Sequence, residues 1–204
     1  MYISLLELNP RSRQVQSELR DPYQMHRTLS RAFGDDRSKY VEARCLFRVD
    51  EDESPRRLNV LVQTKTYPDW DSAGLPENYL TRSPQTKELN PVFRNGQLLQ
   101  FRLRANPTVK RNGKRLGLYA EEEQTNWLLR KAECGGFKVL HVVLKSAGKR
   151  KATTNDKTAT FVAVIFEGVL RVTDADKFAQ TLVSGIGSAK AFGFGLLSIA
   201  PAEG

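Results

Sequence analysis

The order of elements after Asn95-Gly96 restricts the fold more than any other feature of this chain. Residues 98–106 alternate apolar with polar and spell a strand. Residues 121–133 spell a helix, with three glutamates at the positive end of its dipole and Trp127, Leu128 and Ala132 as its apolar side. Residues 139–144 and 160–172 are apolar strands, the second interrupted by Gly168, a bulge or close-approach position. Asp174-Ala175-Asp176 caps a helix through Leu182, and residues 196–199 close with a strand. The order is β-α-β-β-α-β, the split pattern of ferredoxin-like folds. Residues 110–115 are expected as a basic loop and residues 146–157 as a polar, basic connector.

The first half repeats the pattern less regularly. Residues 2–8 form an apolar opening, expected as a central strand that Asn9-Pro10 ends. Asp21 as N-cap and Pro22 at the first position start a helix. At about 100° per residue, Met25, Leu29, Ala32 and Phe33 fall on one face. Tyr23, His26, Arg27 and Ser30 fall off that face, so they are expected to present a phenol, an imidazole, a guanidinium and a hydroxyl to one side. Gly34 and Asp35-Asp36 are read as the end of this helix. Residues 43–49 and 58–63 look like strands joined through the acidic loop 50–55. Prolines 68, 76, 84 and 91 forbid a long helix in the next stretch, where a short strand near residues 87–93 is the one element read. The expected class is α+β, with two tandem ferredoxin-like (RRM-like) domains over residues 1–94 and 95–204.

Between the last helix and the last strand lies Gly185-Ile186-Gly187-Ser188-Ala189-Lys190-Ala191-Phe192-Gly193-Phe194-Gly195. Glycines permit positive φ and close backbone approach, and a turn with free N–H groups and one lysine suits an anion. A tight packing turn is the plainer reading of the same spacing. Charge favours the anion. Residues 1–94 hold 15 Lys and Arg against 14 Asp and Glu, whereas residues 95–204 hold 17 against 9. The net charge of +9 is thus concentrated in the second half, and a basic surface of this kind attracts polyanions.

No apolar run approaches the ~20 residues that span a bilayer, so no membrane partner is expected. Cys45 and Cys134 stand apart, which argues against a disulfide framework and for a reducing, cytoplasmic setting. With two histidines, two isolated cysteines and no gathering of carboxylates, no metal or other cofactor is expected. His141, in line with Val139 and Val143, reads as a buried structural histidine. His26 is different, because Tyr23, Arg27, Ser30 and Arg31 stand within about two helical turns of it. RNA carries its own nucleophile in the 2′-OH. A proton-transfer group, a positioning phenol and cations for the phosphorane would suffice to cleave it.

Four blocks then occur in order: residues 21–29 (DPYQMHRTL), 101–107 (FRLRANP), 166–168 (FEG) and the glycine-rich stretch 185–195. Together they resemble the CasE family, the CRISPR-repeat endoribonucleases of the type I-E Cascade complex. The resemblance implies two ferredoxin-like domains that bind the repeat hairpin and cut pre-crRNA at the 3′ base of the stem. It implies a metal-independent reaction that leaves a 2′,3′-cyclic phosphate and a 5′-OH, with the enzyme staying on the crRNA among other Cascade subunits. His26 matches the proton-transfer residue and Tyr23 the residue that positions the 2′-OH or phosphate. Arg31 stands where some relatives carry lysine; it keeps the charge and, with Ser30, completes the expected catalytic set. Gly185, Gly187, Gly193 and Gly195 match a conformational element near the RNA. Lys149, Arg150, Lys151 and Lys157 match the family's hairpin that reaches the stem groove. Arg27, Arg102, Arg104, Lys110, Arg111, Lys114, Arg115 and Lys190 are the remaining candidates for RNA contact. The alternative is a non-catalytic subunit that binds an RNA hairpin within a ribonucleoprotein. A general RNA-recognition domain is a weaker reading, since residues 101–104 lack the stacking aromatics of such strands.

Overall fold

The structure, a computed structural model, describes residues 1–34, 36–53, 56–154 and 157–202, without the side chains of residues 37, 51–53, 56, 152–154, 157 and 158. The chain forms two units: Met1–Asn90 with Lys151–Ala159 and Ala191–Gly193, and Pro91–Arg150 with Thr160–Lys190 and Phe194–Gly204.

In the first unit, β1 (Tyr2–Leu8) leads to α1 (Arg13–Arg20) and α2 (Pro22–Ser30), which a 3₁₀ turn at Arg31–Phe33 extends. Then come α3 (Arg37–Ala43), β2 (Leu46–Glu53), β3 (Arg56–Thr64) and β4 (Gln85–Glu88). The sheet order is β2-β3-β1-β4, with Leu6 opposite Val60 and Phe47 opposite Val62. As expected, β1 is central, and Leu6, Leu8, Met25, Leu29, Phe47, Val60 and Tyr79 are buried in the core. Among the described residues no helix stands between β3 and β4, where the prolines exclude one.

Several details differ from the sequence reading. Neither α1 nor α3 was anticipated. Asp36 does not end a helix but caps α3, accepting from the Ser38 N–H at 2.8 Å; Asp35 lies outside the described residues. Ala43 closes α3 rather than opening a strand, and β4 begins and ends earlier than the strand sought near 87–93. Ser54 and Pro55, in the acidic loop, lie outside the described residues.

The second unit contains β5 (Leu98–Ala105), β6 (Thr108–Arg111), β7 (Lys114–Gly117), α4 (Glu121–Cys134), α5 (Ala175–Ser184), β10 (Leu197–Pro201) and most of β8 (Phe137–Thr154) and β9 (Lys157–Val172), whose residues from Lys151 to Ala159 fall in the first unit. Its sheet order, β10-β5-β9-β8, places first, second, third and fourth strands as in the first unit. Both sheets are antiparallel pairings of ferredoxin-like type. Leu99, Phe101, Leu103, Phe166 and Leu170 form one buried face, under Trp127, Leu128, Phe178 and Leu182 of the two helices. Gly168 is where β8 comes closest: a Cβ there would lie 2.0 Å from the His141 carbonyl oxygen, so no side chain fits.

Two basic stretches expected as loops are strands. Residues 110–115 belong to the β6–β7 hairpin, turned at Asn112-Gly113 with both φ values positive. Residues 146–154 continue β8, and β9 begins at Lys157. His141 is exposed, not buried, because β8 is the edge strand and its outer residues have no neighbouring strand to cover them.

Candidate active site

The helix that carries the candidate residues is held from behind. Glu18 of α1 is 2% exposed, and it accepts hydrogen bonds from Thr28 of α2, from Gln14 and from the Tyr79 phenol. A buried carboxylate with three donors is satisfied, and it locks α1 to α2. Burial first, and the Glu18 charge next, push the Tyr79 pKa well up, so the phenol keeps its proton and donates. In front, Asp21 caps α2 by accepting from the Tyr23 N–H at 3.2 Å, and Pro22 opens the first turn.

Tyr23 and His26 stand side by side on α2, their rings 6.2 Å apart and inclined by 32°. Both are half-buried rather than fully presented to solvent, while Arg27 and Arg31 are exposed. Phe192 packs against Tyr23 with ring centres at 5.9 Å, and Phe47 of β2 stacks on His26 at 6.3 Å and 21°. The Tyr40 hydroxyl of α3 reaches the imidazole, hydrogen-bonded to Nε2 and 3.1 Å from Nδ1. Burial lowers the His26 pKa from its ordinary 6.5 to about 4, so the ring is neutral at pH 7. Ser30 turns its hydroxyl onto the His26 carbonyl at 2.5 Å, which holds the main chain at His26. A neutral imidazole beside a phenol, with two exposed guanidiniums on the same helix and turn, can move a proton next to an anion. Tyr40, Phe47 and Phe192 were missed in the sequence. Only Asp36, a capping residue three positions after Phe33, signalled the helix that carries Tyr40.

Gly193 belongs to this unit and explains why Phe192 can pack there. Its φ is +78°, and a Cβ would meet the Phe47 ring at 3.1 Å. The other three glycines lie in the second unit. Gly185 ends α5 at φ +71°, and Gly187 and Gly195 follow at +85° and +89°. The Lys190 ammonium donates to the Ser184 carbonyl at 2.6 Å, so it closes this turn over the negative end of α5. Lys190 also lines a cavity of about 520 Å³ with Lys110, Arg115, Trp127, Lys131 and Ser188.

The remaining candidate cations fall into three settings, all described within the second unit except Lys151 and Lys157. Lys110 faces Arg115 and Arg111 faces Lys114 across the β6–β7 hairpin, all four exposed. Like charges directly opposite one another are unfavourable, by a few tenths to about 1 kcal/mol per pair, unless an anion sits between them. Arg102 pairs with Glu167 at 3.1 Å, and Arg104 lies 5.5 Å from the Phe194 ring centre, so both are partly engaged within the sheet. Lys149 stands 5.4 Å from the Tyr119 ring centre, Arg150 is half-buried and Lys151 is exposed. The side chain of Lys157 lies outside the described residues. Among the described residues, no three His, Cys, Asp or Glu side chains gather as a metal-ligand set.

Two ferredoxin-like units, one carrying a Tyr-His helix and the other most of the positive charge, define the class: a tandem ferredoxin-like protein equipped to meet a polyanion. Residues 1–201 match the family model described as CRISPR associated protein. The CRISPR-associated endoribonuclease Cse3 of Thermus thermophilus is 39% identical over 98% of this chain and 100% of its own length. The CRISPR system Cascade subunit CasE of Escherichia coli is 33% identical over 89% of this chain and 93% of its own. Thermus thermophilus Cse3 bound to an RNA representing a pre-cleavage complex superposes with a TM-score of 0.86, at 37% identity and 98% coverage of each chain. The chain belongs to the CRISPR-associated CasE family of type I-E Cascade.

Proposed function

We infer that this chain binds CRISPR RNA and processes it. It is an endoribonuclease. Residues 1–94 supply the catalytic helix and residues 95–204 most of the cationic surface. The substrate is the repeat hairpin of pre-crRNA, cut at the 3′ base of the stem in the cytoplasm, and the product stays bound as the enzyme takes its place among the Cascade subunits. The reaction needs no metal. The ribose 2′-oxygen attacks the adjacent phosphorus and the P–O5′ bond breaks. A 2′,3′-cyclic phosphate forms, and the proton lost by the 2′-OH is matched by one gained at the 5′-oxygen. His26 is the group through which a proton passes. Tyr23 orients the 2′-OH or the phosphate, and Ser30 holds the helix at His26. Arg31 and Arg27 balance the charge that grows on the phosphorane. A phosphate beside the imidazole raises its pKa from the depressed value of the free protein toward neutrality, where proton transfer is efficient.

The observation that carries this reading is the half-buried, neutral His26 beside Tyr23 on a capped helix of a chain so similar to Cse3. The test is cleavage of the repeat hairpin in excess EDTA, alongside a substrate with a 2′-deoxy sugar at the scissile position. The normal substrate should be cut and the deoxy substrate should survive. His26→Ala should abolish cleavage while hairpin affinity holds. Tight binding of both substrates with no cleavage of either would instead make the chain a hairpin-binding subunit.

A further inference from the structure

Tyr40 belongs to none of the four sequence blocks that match the family, yet its hydroxyl lies within hydrogen-bond reach of both nitrogens of the His26 ring, nearer Nε2 and 3.1 Å from Nδ1. The two rings meet edge to face, 5.2 Å apart at 76°, and Phe33 backs Tyr40 at 6.5 Å. α3 holds the phenol in place at both ends. Asp36 caps it, and the Ala43 carbonyl accepts from the Lys65 N–H at 2.8 Å. The rings of Tyr23 from α2 and Phe47 from β2 also stand about the imidazole. Their ring faces limit where the imidazole plane lies but do not choose which nitrogen carries the proton.

We propose that Tyr40 is the positioning residue of the His26 site: its O–H donates to Nε2, fixes the ring's rotation and keeps the proton of the neutral imidazole on Nδ1. A phenol is a good donor and an imidazole nitrogen a good acceptor, so this direction uses each group at its strength. The orientation matters because a proton-transfer group must meet the reacting oxygen within hydrogen-bond reach. A misplacement of about 1 Å can cost on the order of 100-fold in rate. Without the hydroxyl, the ring turns between flat aromatic walls and both tautomers become accessible. The proposal rests on His26 as the proton-transfer residue, so its test keeps the two apart.

Tyr40→Phe removes one oxygen and leaves the packing against Phe33. The readouts are histidine ¹⁵N spectra of the RNA-free protein and single-turnover cleavage of the repeat hairpin across pH. The wild type should show His26 neutral with Nδ1 protonated. The variant should show mixed tautomers and cleavage slowed about 10-fold or more, with hairpin affinity unchanged. A wild-type ring protonated on Nε2 overturns the proposal, and this measurement decides the matter even if the variant fails to fold. A wild-type rate in Tyr40→Phe overturns it as well. Faster cleavage would mean that the hydroxyl blocks the imidazole instead of aiming it. If His26→Ala cleaves normally, the reading of His26 falls, while the tautomer result still reports on Tyr40 separately.

Discussion

Replacing Gly195 by alanine should destabilise the protein far more than an ordinary surface change. Gly195 sits at φ +89°, where an L-residue with a Cβ is disfavoured by roughly 1–2 kcal/mol. The new methyl would also stand 2.8 Å from the Ile186 carbonyl oxygen, closer than a Cβ sits to backbone. Relief requires the main chain to move, and that main chain is doubly tied. The Gly195 N–H donates to the Arg104 carbonyl at 2.8 Å, and the Gly195 carbonyl accepts from the Ile186 N–H at 2.8 Å. Weakening these two bonds adds roughly 1 kcal/mol each at most. The total is about 1–4 kcal/mol. For a chain of this size each kcal/mol lowers Tm by about 2–4 °C, so Gly195→Ala should melt roughly 2–15 °C below the wild type by circular dichroism. A Tm within about 1 °C of the wild type would show that the turn does not need glycine there, and the steric argument would be wrong.

Gly193→Ala makes the complementary prediction. Its Cβ meets a ring tip of Phe47 rather than backbone, so Phe47 yields, and Phe47 is the ring stacked on His26. Cleavage should fall by more than the Tm change explains, which melting and single-turnover rates on one preparation would check. For pH, the sign follows from the lowered His26 pKa: between about 4 and 6.5 the unfolded chain binds a proton that the folded one refuses. The His26 contribution to stability is therefore whole above pH 6.5 and is lost as pH falls toward 4. Urea midpoints over that range should drop less steeply for His26→Gln than for the wild type. Alanine at Lys110, Arg111, Lys114 and Arg115 together should weaken hairpin binding and flatten the dependence of log K on log salt by roughly 0.7–0.9 per lost phosphate contact, measured by filter binding.

Much of this was legible because the relevant physics is local. Asp21-Pro22 announces α2, Asp174 announces α5, and alternation of apolar residues announces β5, whose Leu99, Phe101 and Leu103 are all buried. The placement of His26 off the apolar stripe was visible for the same reason. What the sequence hid depends on contacts between distant residues. Nothing near His26 in sequence reveals that Tyr40 and Phe47 enclose its ring, or that Phe192 leans on Tyr23. α1 was missed because Val15 is its one buried apolar residue, and its other buried anchor is Glu18, a carboxylate that periodicity counts as exposed. His141 was misjudged because edge and central strands share one apolar pattern, and only the sheet order tells them apart.

Natural sequences tend to agree with their folds at every level except where function requires otherwise, so local conflicts point to function. This chain keeps three of them. Like charges oppose one another twice across the β6–β7 hairpin, where alternating signs would be more stable. An imidazole is half-buried, and among the described residues burial is what sets its titration. Ala189 holds φ +64° in a turn that is otherwise rich in glycine. Negative charge would relieve each of the first two: a polyanion at the hairpin cations, and, on the proposed reading of His26, a phosphate that favours the imidazolium. A protein built only for stability would carry neither, and both are what an RNA backbone would correct.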